Sequence, residues 1–510
     1  MGRILGSVLR SPSIDIDAEI EHSSGRTIRK IFEKDGEAAF RRLEAEAILA
    51  TEGRPGIFSL GGGCVETPEV RDYLRDQTVV WIDAPHRELL ARVSRNTRRP
   101  LLLDDPDQKL ADLRRRREPL YRDVATCEVK STSGPPEEVV QEILRLLLEW
   151  DLTSVKGSHR YNVLTGKGVY AVLGGYVPED ATKALLVVPE SLAGIAAGIE
   201  KILTQAGLAV SMFVHRDGES AKDLSTLAKA WDALGEVRLG RRDVVVTFGG
   251  GVSTDLGGFI AATWLRGVPV IHLPTTLLAM VDASIGGKTG IDTPAGKNLV
   301  GAFYDPIVVL VDLDSLPTLP QREYTSGLAE VIKTGLIEDP KILRLIENSP
   351  LISDVGWATG DGVSVLAEIV QRSISVKGRI VSADRLEGGL REILNYGHTM
   401  GHAIERAENY EMRHGEAVAI GCVFAAHLAG EFGLVDTSTI RKHESLFESV
   451  GLPTRYRGSI PVLMEGLSTD KKARRGKLRF VLLSEGGRPR TRDVEGDVVR
   501  RVAESLNMEV

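Results

Sequence analysis

The segment Asn395-Tyr-Gly-His398-Thr-Met-Gly-His402-Ala-Ile-Glu, followed by His414-Gly-Glu416, places three of the chain's ten histidines in one short window. Imidazole suits zinc, and a catalytic zinc takes three protein ligands and keeps one position open for substrate. His398 and His402 stand four apart and so share one face of a helix. His414 follows a loop-like break over 408–413. Spacing alone points to His398, His402 and a distant carboxylate as ligands. It fits two solvated helix histidines equally well.

Upstream, Val244-Val-Val-Thr-Phe-Gly-Gly250-Gly251-Val252-Ser-Thr-Asp255 reads as a buried strand, a glycine turn and a helix start. Backbone amides at such a turn can approach a pyrophosphate, and a helix N-terminus favours its charge. The spacing is not G-x-G-x-x-G, so the usual dinucleotide fingerprint is absent. Next come Thr275, Thr276, Asp282, Ser284 and Lys288, then Lys297 and Asn298. Small, hydroxylic, acidic and cationic residues this dense make a poor core and a plausible ligand cleft.

Together these segments resemble 3-dehydroquinate synthase over roughly Ser154 to Val510. The resemblance implies metal ligands at Glu330 (in Ala-Glu-Val-Ile-Lys), His398 and His414, holding Zn²⁺ or Co²⁺. His402 then becomes a polar neighbour near substrate instead of a ligand. NAD contacts carry over to Glu219, Lys222, Gly250, Gly251, Val252, Asp255, Thr275, Thr276 and Asp282, with Lys288, Lys297 and Asn298 alongside. Ala283 departs mildly from family members with Ser there. Substrate-side groups are Lys288, Lys297, Lys333, Lys377, Arg391 and Lys471, with Asn298, Asn395 and His402 as polar partners. Those cations suit a substrate bearing a carboxylate and a phosphate. The implied reaction converts the seven-carbon sugar acid phosphate DAHP to 3-dehydroquinate. Oxidation at C5 acidifies a neighbouring proton, phosphate leaves, and NAD ends unchanged. Valiolone- or inosose-forming sugar-phosphate cyclases are the nearest alternative.

The remainder of the chain has its own organisation. A seam falls near Asp151 to His159, after the amphipathic run Pro136 to Trp150. Before the seam, Asp15, Asp17, Arg41, Gly62, Gly63, Arg99 and Arg117 stand in an order that resembles shikimate kinase over about Gly2 to Trp150. The resemblance implies shikimate contacts at Asp17, Arg41, Gly62, Gly63 and Arg117, Mg²⁺ held by Asp15, and a lid arginine at Arg99 reaching over ATP. The G-x-x-G-x-G-K-[ST] loop that cradles ATP phosphates does not occur in the sequence. The expectation is therefore a natural start upstream of Met1, with Mg²⁺ and ATP used only if that loop exists there. A kinase-dead scaffold or shikimate-binding module is the alternative.

These readings predict an α/β protein of three parts. They are a truncated P-loop-kinase-like parallel α/β domain (1–150), a Rossmann-like NAD-binding α/β domain (151–316) and an α-helical metal and substrate domain (317–510). A formal charge of −7, from 64 basic and 71 acidic residues, argues against a general nucleic-acid binder. No secretory pattern or membrane-length apolar run is present, and Cys64, Cys127 and Cys422 are scattered without a CxxC. A cytoplasmic enzyme of small-molecule substrates is expected, with no membrane partner and a homodimer through the synthase part.

Overall fold

The computed structural model describes residues 1–94, 106–131, 134–359, 362–468, 477–484 and 486–506. The chain divides into two compact units, Met1–Asp151 and Leu152–Val510.

In the first unit, Ser13–Asp15 pairs in parallel with Ile57–Ser59, and Val80–Asp83 pairs in parallel with Cys127–Lys130. A single parallel sheet was expected; among the described residues the strands instead form two separate pairs. Helices close the core around Ile16, Ile20, Ile31, Phe40, Ile48, Val70 and Leu74. Asp15 ends its strand and caps the Ile16–Ser24 helix, its side chain accepting from the Ala18 amide.

The second unit is built on a seven-stranded sheet. Its order is Asp151–Lys156, Arg160–Gly166, Val308–Asp312, Val270–Pro274, Val244–Gly249, Lys183–Pro189 and Ala209–His215. The pairings from Arg160–Gly166 through Ala209–His215 are all parallel. Every residue of Val244–Gly249 and of Val308–Asp312 is buried. Such unbroken apolar strands are what a sheet covered on both faces requires. One face packs beneath the Leu224–Glu236 and Gly251–Thr263 helices, through Leu227, Ala230, Leu234, Leu256 and Ile260.

After Leu316 helices dominate, as expected: Gln321–Ile337, Val363–Ala383, His398–Ala407 and His414–Glu431 supply most of the site. Among these helices Lys477–Ser484 and Arg488–Glu495 form an antiparallel hairpin. Its first strand buries Leu478, Phe480, Val481, Leu482 and Leu483 in the same core. The His414–Glu431 helix is apolar nearly all round and buried at its centre. Among the described residues, no helix is long and apolar enough to cross a membrane.

Candidate active site

Two backbone approaches set the site. A Cβ on Gly421 would lie 2.0 Å from the Gly397 carbonyl oxygen, and one on Gly415 would lie 1.9 Å from that of Ser326. Only glycine lets the His414–Glu431 helix come this close to the start of the His398–Ala407 helix and to the Gln321–Ile337 helix. That contact brings Glu330, His398 and His414 together.

Glu330 is 1% exposed. Its Oε1 lies 3.4 Å from His398 Nε2 and 3.4 Å from His414 Nε2. Oε2 is ion-paired with the Lys333 ammonium, which leaves Oε1 facing the two imidazoles. A buried carboxylate facing two imidazoles is a donor set that fits a divalent cation. The one-ligand-atom distances among these three residues all fall within 4.8 Å. His398 Nδ1 sits 3.2 Å from the Tyr396 carbonyl, which fixes a proton there and leaves Nε2 free to ligate. Burial and then the Lys333 charge push His398 well below the ordinary imidazole range. Burial opposes protonation of His414 too, but Glu405 and Glu330 outweigh it and lift the ring to about 10. His402 is exposed, with its ring centroid 5.3 Å from that of His398. With Glu405 and His414 it makes a second possible ligand set.

Cations surround this centre. Lys333 and Lys377 are buried, and Lys377 is ion-paired with Asp282. Burial, opposed by Asp282 and reinforced by Arg391, brings Lys377 down to about 8. Burial raises the Asp282 carboxyl, but Lys377 and Lys333 together outweigh it and hold it down at about 2. Arg391 is almost fully buried and donates to the Gly286 and Arg385 carbonyls at 3.0 and 2.6 Å. Lys288 Nζ lies 2.7 Å from Glu387, which also accepts from Asn395 Nδ2 at 2.7 Å.

The expected nucleotide residues gather at the sheet's C-terminal edge. Gly250 caps the Gly251–Thr263 helix, and a Cβ on it would meet Thr276 Cγ2 at 3.0 Å. A Cβ on Gly251 would meet the Ala283 side chain at 3.3 Å. Val252 lies in the first turn of the same helix, and the Thr275 amide donates to the Gly249 carbonyl. Backbone amides at a helix start fit a dinucleotide pyrophosphate. Lys222, 3% exposed, donates to Asp255 Oδ2 at 2.8 Å and to Asn298 Oδ1 at 2.6 Å, with Glu219 at 3.4 Å. Asp255 and Glu219 raise Lys222 above the ordinary lysine range against its burial. Lys297 Nζ lies 3.6 Å from Glu219 and 3.1 Å from Glu405.

In the first unit, Arg41 Nη1 donates to Glu44 at 2.6 Å and Arg117 Nη2 donates to Glu66 at 2.8 Å. A Cβ on Gly63 would strike the Arg41 guanidinium at 2.1 Å. One on Gly61 would meet Glu44 and then Asp17, and Tyr121 donates to the Gly62 carbonyl. Asp17, Arg41, Gly62, Gly63 and Arg117 are thus brought together. Asp15 acts as a helix cap, and among the described residues no three-residue ligand cluster includes it. Arg99 and Lys471 lie outside the described residues.

Sequence reasoning missed four carboxylates: Glu405, Glu387, Glu44 and Glu66. Only Glu405 carried a signal, since it lies three residues past His402 on the same helical face.

Residues 212–326 fit the model for 3-dehydroquinate synthase N-terminal, 327–473 that for 3-dehydroquinate synthase C-terminal, and 1–148 that for shikimate kinase. The chain is 50% identical over 330 residues to 3-dehydroquinate synthase of Thermobifida fusca (strain YX), covering 64% of this chain and 88% of that one. It is 48% identical over 331 residues to 3-dehydroquinate synthase of Mycobacterium leprae (strain TN), covering 64% and 90%. Among solved structures, a 2-deoxy-scyllo-inosose synthase complexed with carbaglucose-6-phosphate, NAD+ and Co2+ aligns with TM-score 0.62 at 25% identity, covering 70% of this chain and all of that one. A 2-epi-5-epi-valiolone synthase from Streptomyces hygroscopicus subsp. jinggangensis 5008, with NAD+ and Zn2+ bound, aligns with TM-score 0.62 at 25% identity, covering 68% and 96%. The chain belongs to the 3-dehydroquinate synthase family and carries a shikimate kinase-like module ahead of it.

Proposed function

We propose that this chain converts DAHP to 3-dehydroquinate and phosphate, with Glu330, His398 and His414 holding Zn²⁺ or Co²⁺. The observation that carries this reading is the buried Glu330 carboxylate facing both imidazoles and ion-paired with Lys333, in a member of this family. When bound, the nicotinamide would supply a reversible hydride acceptor and the divalent ion a Lewis acid at the hydroxyl being oxidised.

The chain's own residues do the rest. Gly250, Gly251 and Val252 offer backbone to the cofactor phosphates. Asp255 and Asn298 pin Lys222, keeping that wall of the cleft rigid. Lys288, Lys297, Lys333, Lys377 and Arg391, with Lys471, set a cationic field for the substrate carboxylate and phosphate. Asp282 keeps the Lys377 ammonium in place. Asn395 and His402 add polar contacts beside them. The work divides among 1–150, 151–316 and 317–510, in a cytoplasmic enzyme that pairs through its synthase part.

The first unit is read as a shikimate-binding module, supported by Arg41 and Arg117 converging beside Asp17 and the Gly61–Gly63 turn. Phosphorylation of shikimate with ATP and Mg²⁺ would require a phosphate-cradling loop ahead of Met1. Calorimetric titration with shikimate, with and without ATP, tests both halves of that statement.

Phosphate release from DAHP, with NAD⁺ and Zn²⁺, is the direct test of the synthase reading. Glucose 6-phosphate serves as the competing substrate. Turnover of DAHP alone supports the reading, and turnover of glucose 6-phosphate in its place sinks it.

A further inference from the structure

His414 has two ring nitrogens, and each faces a different carboxylate. Nε2 lies 3.4 Å from Glu330 Oε1, and Nδ1 lies 3.5 Å from Glu405 Oε1. Glu405 belongs to the His398–Ala407 helix, on the face that carries His398 and His402. Its side chain is 3% exposed. The same Oε1 accepts from Lys297 Nζ at 3.1 Å. Lys297 comes from the Gly296–Phe303 strand, and its ammonium also sits 4.4 Å above the Tyr410 ring. One buried carboxylate therefore joins an imidazole of the candidate metal centre to a cation of the cofactor side.

We propose that Glu405 is a positioning residue: it holds the His414 ring so that Nε2 faces the metal, and it holds Lys297 beside that ring. The inference rests on the reading of Glu330, His398 and His414 as ligands. A carboxylate at Nδ1 keeps the proton on that nitrogen and leaves the Nε2 lone pair for the cation. Removing such an outer partner typically weakens metal binding by about 10–100-fold without changing the ligand set. His398 needs no equivalent carboxylate, because the Tyr396 carbonyl does the same for its Nδ1. The geometry also allows the opposite assignment, in which Glu405 ligates directly with His402 and His414. The two differ in a measurable way.

The experiment uses the full chain, stripped of metal and titrated with Zn²⁺ against a competing chelator. Glu405→Gln keeps the shape and removes the charge. Its Zn²⁺ affinity is expected to fall about 10–100-fold. At saturating Co²⁺ its visible absorption spectrum should match that of the unaltered protein. Glu405→Asp should recover part of the affinity, and it replaces Glu405→Gln if circular dichroism shows the latter unfolded. Glu330→Gln should lose tight binding altogether. Unchanged affinity in Glu405→Gln, with Glu330→Gln defective, overturns the positioning role. So does an altered cobalt spectrum, which would make Glu405 a ligand. If Glu330→Gln binds Zn²⁺ as well as the unaltered protein, the underlying ligand assignment fails, and the role given to Glu405 falls with it.

Discussion

At the scale of single residues, Glu330 and the two imidazoles are the most exacting arrangement. Removing one nitrogen leaves a buried carboxylate facing a single imidazole. His414→Ala should lower Zn²⁺ affinity by more than the roughly 10²-fold upper range of outer-sphere changes and abolish phosphate release. Metal content after dialysis and a phosphate-release assay check this. Lys377 gives a pH signature. Its ammonium must be charged to hold an anionic substrate group, and burial brings it down to about 8. Because the charged form prevails below that value, kcat/KM should fall as pH rises through about 8. In Lys377→Arg the guanidinium stays charged, so that limb should move to higher pH. A pH–rate profile decides the point; an unchanged limb would assign it to another group. The donor types at these positions were legible in the sequence. Glu387 was not, because acidic residues are common and only the folded chain shows which one faces a lysine; Glu405 showed only its helical spacing from His402.

At the scale of elements, the glycine-mediated contact at the His414–Glu431 helix decides whether the ligands meet. Gly421→Ala would drive a methyl into the Gly397 carbonyl. Overpacking of this kind costs about 1–3 kcal/mol. The variant should melt at lower temperature and bind metal more weakly, since His398 directly follows Gly397. Thermal denaturation with a parallel metal titration checks both. Loss of stability with full metal affinity would mean that the contact does not set the ligand geometry. The parallel strands were readable as continuous apolar runs, because both their faces are covered. The Lys477–Ser484 and Arg488–Glu495 hairpin was not. Its second strand, Arg-Pro-Arg-Thr-Arg-Asp-Val-Glu, is almost wholly polar and mostly exposed, so it carries no apolar alternation.

At the scale of the whole molecule, Met1–Asp151 and Leu152–Val510 each enclose their own hydrophobic core. Separate cores predict two calorimetric transitions with separate ligand responses. NAD⁺ with Zn²⁺ should raise one transition and shikimate the other. A ligand at 100 times its Kd adds about 2.7 kcal/mol to the unit that binds it. A single transition raised by either ligand would show that the two units unfold as one. The seam near Asp151 was legible in the amphipathic run Pro136 to Trp150, whose Val139, Val140 and Ile143 are buried in the helix just ahead of the next strand.

The sequence by itself determined the family, the two-part organisation and the chemical identity of the donors. Those properties reside in motif order, in apolar periodicity and in residue type, all of which are local along the chain. The tertiary structure alone decided which nitrogen of His414 faces which carboxylate. It also decided that Lys222 is a buried member of a network with Asp255 and Asn298. Each of these depends on close approach between segments far apart in the chain, made possible at the metal site by glycines whose missing side chains leave no periodic trace.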